Sequence, residues 1–183
     1  MKKRTVYALI LTVSFVLLSV ACVTVFAYMF RKTDMKNNQF TPAVVSCEVH
    51  EETDAGVTEK KSVRIKNTGN IHAYLRVRFV SYWIMTTEDG SSEIVSKPSE
   101  MPEFQIADGW LAGKDNTYYY KSPVSPDDFT EELLSSKIIL LEEDGYQQVI
   151  EIFAEAIQSK PDSAVIESWN VILDANGNII SVS

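Results

Sequence analysis

The side chains best suited to chemistry lie close together at Glu48, His50, Glu51 and Glu52, with a second histidine at His72. Zinc takes His, Cys and carboxylate ligands, usually with several His or Cys among them. This chain has 2 histidines, and the H-E-x-x-H helix that would present two ligands and a base is missing. Glu48 and His50 share a face if the segment is extended, because side chains alternate across a strand. His72 joins them only if that strand lies beside the turn that carries it. Two solvated histidines are the preferred reading over metal-dependent hydrolysis. Asp174-Ala175-Asn176-Gly177-Asn178 resembles a calcium loop in composition, but its glycine stands fourth rather than sixth and no bidentate glutamate follows. A hairpin turn accounts for it more simply. There is no G-x-S-x-G elbow and no phosphate-loop or dinucleotide fingerprint. The expectation is a protein that is not an enzyme and carries no cofactor or metal.

Cysteine points the same way. Cys22 lies in an apolar run, and Cys47 shares its parity with Val45 and Val49. Cys47 is therefore expected to face a core rather than to act as a reactive thiol. Ser19-Val20-Ala21-Cys22 is loosely like a lipoprotein cleavage box, but the apolar run continues for eight residues beyond it. Lipidation is disfavoured on that ground.

The apolar run itself, Thr5 to Phe30, has 26 residues without a charge, between Lys2-Lys3-Arg4 and Arg31-Lys32. A basic start, an apolar middle and small residues near the end make an export signal. The run is also long enough to span a bilayer. It is either a signal peptide cleaved between Ala27 and Tyr28, the preferred reading, or an uncleaved anchor with a cytoplasmic N-terminus. The expected organisation is residues 1–27 as signal peptide or anchor, 28–42 as a polar arm and 43–183 as one domain. Residues 28–183 carry 14 Lys and Arg against 25 Asp and Glu, a formal charge of −11. Such an acidic body excludes nucleic acid and anionic membrane surfaces as natural partners.

From Ala43 onward the dominant period is two. Leu75, Val77, Phe79, Ser81 and Trp83 alternate with Tyr74, Arg76, Arg78, Val80 and Tyr82, which places one face on a core. Asp89-Gly90, Asp144-Gly145 and Asn176-Gly177 suit tight hairpin turns. The second joins 137–142 to 146–156, and the third joins 170–173 to 179–182. Asn67-Thr68-Gly69-Asn70 forms a turn between the Val63 and Leu75 strands, and Trp110 to Tyr120 a further hairpin. Pro161-Asp162-Ser163 starts a short helix through Trp169, with Val165 and Trp169 on one face. Phe129–Ser136 is a candidate for another helical turn or two. The fold class is therefore all-β: an immunoglobulin-like or jelly-roll sandwich with one or two short helices, preceded by an N-terminal hydrophobic helix. Trp83, Trp110 and Trp169 are expected core anchors. Arg76 and Arg78 are expected to pair with acids on a neighbouring strand or subunit. Tyr118 and Tyr120 share a face and are either ordinary packing or a surface aromatic platform.

Four segments, in order, resemble the TasA/camelysin family of exported bacterial surface proteins. They are Ala27-Tyr28-Met29-Phe30 through Asn38-Gln39-Phe40-Thr41; Ile65-Lys66-Asn67-Thr68-Gly69-Asn70 with Ala73-Tyr74-Leu75-Arg76-Val77; Trp110-Leu111 with Tyr118-Tyr119-Tyr120-Lys121-Ser122-Pro123-Val124; and Ala154-Glu155-Ala156-Ile157-Gln158 with Trp169. Departures are the missing small-residue stretch before the junction, Asp127 where a glycine is usual, and a C-terminal hairpin that looks like an extension. The resemblance implies export through a SipW-type signal peptidase, a sandwich outside the cell, and in some members biofilm fibres built by donating an N-terminal strand to the next subunit. It also brings the metallopeptidase class assigned to camelysin into consideration. An extended arm can fill an open sheet edge through main-chain hydrogen bonds. Phe40, Val45, Cys47 and Val49 are the candidate inserted residues, unless Ala43–His50 is the first strand of its own sandwich.

The expected function is an exported cell-surface or matrix structural protein that associates with itself or with other surface proteins. The alternative is a monomeric module for a wall polymer or surface partner, anchored in the membrane by residues 5–30.

Overall fold

The computed structural model describes the backbone of residues 3–32, 41–52 and 59–182. The chain divides into two compact units, Met1–Thr41 and Pro42–Ser183.

The first unit is helix α1, Lys3–Lys32, about 45 Å long at 1.5 Å per residue. Its apolar residues do not form a stripe. Leu11, Phe15 and Leu17 are all exposed. Among the described residues no helix is long and apolar enough to cross a membrane. The full stretch Thr5–Phe30, which includes residues whose side chains lie outside the description, has no charged residue.

The second unit is an all-β, sandwich-like fold. Its strands are β1 Cys47–Glu52, β2 Glu59–Asn67, β3 Ala73–Thr86, β4 Ser92–Val95, β5 Trp110–Ala112, β6 Thr117–Tyr120, β7 Ile138–Ile139, β8 Glu142–Glu143, β9 Tyr146–Gln158, β10 Val171–Leu173 and β11 Ile179–Val182; helix α2 is Asp162–Trp169. The larger sheet has the order β5-β6-β3-β9-β8, with β4 also on β3. Facing it is the sheet β1-β2-β7, and β10-β11 forms a separate hairpin.

The long antiparallel pair β3 and β9 forms the frame, in register from Ala73↔Gln158 to Met85↔Tyr146. Its inward residues follow the period of two: Leu75, Val77, Phe79, Ile150 and Ile152 are buried with Val63 and Ile65 of β2. The opposite face of the same sheet is buried at one end only. There Tyr74 and Tyr119 pack with Val165, Trp169, Val171 and Ile179 from α2 and the C-terminal hairpin. Burying a large apolar side chain contributes roughly 1.5–3 kcal/mol, so this second cluster is a substantial anchor for the C-terminal layer. The three tryptophans Trp83, Trp110 and Trp169 are all buried.

Two expectations need correction. Phe129–Ser136 is not helical. It runs extended beside β2, with Thr130 N–H donating to the Ile65 carbonyl at 2.9 Å and Leu133 N–H to the Val63 carbonyl at 2.8 Å. Buried backbone groups must be paired, and the β2 edge offers partners that a short helix would forgo. The 137–142 run is not one strand. Ile138–Ile139 pairs with β2 while Glu142–Glu143 pairs with β9, so the chain changes sheets within it. The Asn67–Asn70 turn lies between the Val63 and Leu75 strands as expected, and it also joins two sheets, because β2 and β3 lie in different ones.

Candidate functional site

The residues that do most at the N-terminal end of the domain are those of the Asn67–Asn70 turn. They hold the incoming chain by its main chain. Thr68 N–H donates to the Ser46 carbonyl and Asn70 N–H to the Val44 carbonyl, each at 3.0 Å. The Asn70 side chain accepts from Val44 N–H at 2.7 Å and donates to the Pro42 carbonyl at 2.9 Å. Ser46 and Thr68 hydroxyls meet at 2.8 Å. Asn67 is fully buried and fixes the turn: its amide donates to the Ile71 and Val124 carbonyls, and its side-chain oxygen accepts from Gly69 N–H, all at 2.9 Å. A side chain at position 69 would overlap the Val44 carbonyl oxygen and crowd Ser46 N. Glycine is required here so that two backbones can approach.

Beyond the clamp the chain enters β1, which pairs with β2 through Cys47↔Asn67 and Val49↔Ile65. Val45, Cys47 and Val49 pack half-buried against the core. Of the strand-donor candidates, these three therefore fill the first strand of their own sandwich. Phe40 lies outside the described residues. Beside β1 runs β9, whose outer edge carries β8 only at Tyr146 and Gln147. From Val149 to Gln158 no described strand pairs with that edge. A shallow apolar pocket of about 300 Å³ lies there, lined by Val45, Ala156, Ile157, Gln158 and Ala164.

A larger groove, about 600 Å³, opens between the clamp, the end of β9 and the 174–178 turn, with Ile71, His72, Pro123, Lys160 and Gly177 among its walls. Its floor is Tyr74, whose hydroxyl donates to the Gly177 carbonyl at 2.5 Å. Burial, with Asp162 and Asp174 nearby, raises the Tyr74 pKa above the ordinary phenol value. The Asp174 carboxylate accepts from Asn176 N–H and Asn178 N–H at 2.8 Å each. Those bonds, with the Asn178 side chain, hold its pKa below the usual range. The segment is a hairpin turn joining β10 and β11, as its composition suggested.

His72 lines this groove, whereas His50 lies on β1 beside Glu48 at 3.8 Å and against the Phe129 ring at 4.9 Å. Among the described residues no group of three or more His, Cys, Asp and Glu could hold a metal ion. The Cys47 thiol is pushed up to about 11, first by burial and then by Glu155. It is a poor nucleophile at neutral pH.

Tyr118 and Tyr120 do not offer a surface platform. Tyr118 lies 5.4 Å from the Phe79 ring and 5.6 Å from the Phe104 ring, and Tyr120 lies 5.2 Å from Trp110. The face they share is the inward face of β6, and burial raises the pKa of both phenols. Tyr119, on the other face, is the more buried and packs against Trp169. Ala27 and Tyr28 both lie inside α1, which continues to Lys32.

The clamp was readable only as a turn. The signal for its further role is a run of Asn, Thr and Gly that is richer in side-chain hydrogen-bonding groups than a bare turn needs. Comparison with protein families, with curated proteins and with solved structures returns no match for this chain.

Proposed function

We propose that the protein is an exported cell-surface or extracellular-matrix structural protein whose subunits join by donation of the N-terminal strand. The observation that supports this is the clamp. Its contacts to residues 42–46 are made almost wholly to main-chain atoms, so it would hold the same segment of a neighbouring copy equally well. The unpaired edge of β9 beside β1 adds hydrogen-bonding capacity for an extended chain. On this reading Val45, Cys47 and Val49 exchange their own core sites for those of the next subunit, at little net cost in burial because the sites are identical. Residues 28–42 supply the reach, the segment 5–30 directs export, and signal peptidase is the processing partner. The reading needs no catalytic residue and no cofactor.

A second reading has its own support. Helix α1 runs unbroken through Ala27–Tyr28 and exposes apolar side chains all round, which favours an uncleaved anchor. The domain would then be a membrane-held binding module, and the groove beside His72 its ligand site.

Electron microscopy of purified Tyr28–Ser183 beside Ala43–Ser183 separates the two. Filaments from the longer form alone are expected. Filaments from both, or from neither, overturn strand donation. Full-length protein recovered only from membranes, with its N-terminus intact, favours the anchored module.

A further inference from the structure

The outward face of the β3–β9 sheet is covered over only part of its length. At one end α2 and the β10–β11 hairpin bury Tyr74, Tyr119 and Ile157. Beyond the Arg76 row, among the described residues, no helix or strand is closely packed on that face. Because side chains alternate, the bare part presents Val80, Tyr82 and Ile84 from β3. Their direct partners on the same face are Glu151, Val149 and Gln147 from β9, and Ile94 of β4 lies opposite Ile84. Phe153 is 44% exposed and Ile94 75%. At about 4.8 Å between strands and 6.8 Å between same-face residues, this part of the face is a contiguous area of roughly 300 Å². That is about the size of the largest patch on an ordinary monomer, a patch that is often functional, and Glu151 and Gln147 interrupt its apolar surface.

The covering layer has an apolar outer side as well. Val165 and Trp169 of α2 point down into the sheet, as do Val171 and Ile179 of the hairpin. Ile166, Ile172 and Ile180 are left exposed at 40%, 53% and 56%. The charges match. Arg76 is committed to Glu155 at 2.6 Å, but Arg78, on the bare part, makes no ion pair among the described residues. Glu167, on the outer side of α2, makes none either.

We propose that a second copy of this chain occupies the bare part. A two-fold axis lying across the strands turns the copy end for end. Each copy's α2–hairpin layer then rests on the other's bare sheet. Ile166, Ile172 and Ile180 meet Tyr82, Val149 and Ile94 of the partner, and Glu167 meets the partner's Arg78. The surface is isologous, as two-fold contacts must be, and it closes at a dimer. It does not involve the arm, so it stands or falls separately from strand donation.

The test is sedimentation of the full chain in detergent solution, for the wild type, Arg78→Glu, Glu167→Arg and the double reversal. Both residues are exposed, so the variants fold, and circular dichroism checks this. The wild type is expected to dimerise, each single reversal to weaken the dimer at least tenfold, and the double reversal to restore it. Restoration is the readout that a general loss of solubility or fold would not give. A monomeric wild type, or a double reversal as weak as the singles, overturns the proposal.

Discussion

Gln148 should be the most sensitive polar residue of the domain. It is fully buried on the inward face of β9. Its amide nitrogen lies 2.9 Å from Ser81 Oγ, 3.0 Å from Ser99 Oγ and 2.8 Å from the Glu100 carbonyl, and its side-chain oxygen accepts from Leu141 N–H at 3.2 Å. One side chain thus ties the 98–101 segment and the β8 approach to the β3–β9 frame. In Gln148→Leu the two serines still satisfy each other, since their hydroxyls lie 2.5 Å apart. The Glu100 carbonyl and the Leu141 N–H keep no side-chain partner. Both hydrogen bonds are only partly buried, so each group left unpaired costs about 1 kcal/mol, the low end of the range for a buried group, and the gain from a buried leucine offsets part of this. The expected net loss is about 1.5 kcal/mol, or roughly 5 °C in Tm for a domain of this size. The assay is thermal and urea unfolding of the wild type, Gln148→Leu and the neighbouring control Gln147→Leu, which should stay within about 0.5 kcal/mol. A Gln148→Leu protein as stable as the control would refute the argument that this network is satisfied and that its loss leaves partly buried groups unpaired.

Gly69→Ala should release the clamp by forcing the turn away from Val44; loss of hydrogen-exchange protection at Thr68 and Asn70, with a destabilisation of about 1–3 kcal/mol, is expected, and unchanged protection would count against the clamp. The Asp89 carboxyl, bonded first by the Thr87 hydroxyl and then by the Ser91 main chain and hydroxyl, is held down at about 2. Its folded value lies below its unfolded one, so it favours the β3–β4 turn above the ordinary carboxylate range, and that support disappears as pH falls through about 2. A carboxyl carbon titration by NMR with an ordinary midpoint would contradict this. In a Cys22→Ser background, Cys47 should react with a thiol reagent at pH 8 roughly a hundredfold more slowly than a free cysteine, because so little of it is thiolate; labelling at the free rate would mean that β1 leaves its place.

What could be read beforehand depended on whether a local rule decided the outcome. The alternation in Leu75–Trp83 is decided by the pleat, so the inward set of β3 follows from the sequence. The Asp-Gly and Asn-Gly turns are decided by the need for positive φ, and Gly90, Gly145 and Gly177 lie at 84°, 81° and 82°. Asp127, which stood out where a glycine is usual, lies at φ 63°, a conformation that aspartate tolerates better than most residues. Where two elements compete for a segment, local rules give no answer. Phe129–Ser136 has enough helical character to suggest a turn of helix, yet the unpaired edge of β2 takes its backbone. Tyr118 and Tyr119 differ by one position and could have exchanged faces. The outcome rests on which face α2 covers, and that depends on the distant Trp169. The clamp was hidden for the same reason. Asn67 and Gly69 satisfy every requirement of an ordinary turn, and their second role appears only when the chain from 42 to 46, some twenty residues earlier, is laid against them. A contact of that separation leaves no periodic trace, because nothing in the spacing of Pro42–Ser46 repeats in Asn67–Asn70. The only compositional trace is surplus hydrogen-bonding capacity, a turn with more donors and acceptors than its own geometry uses.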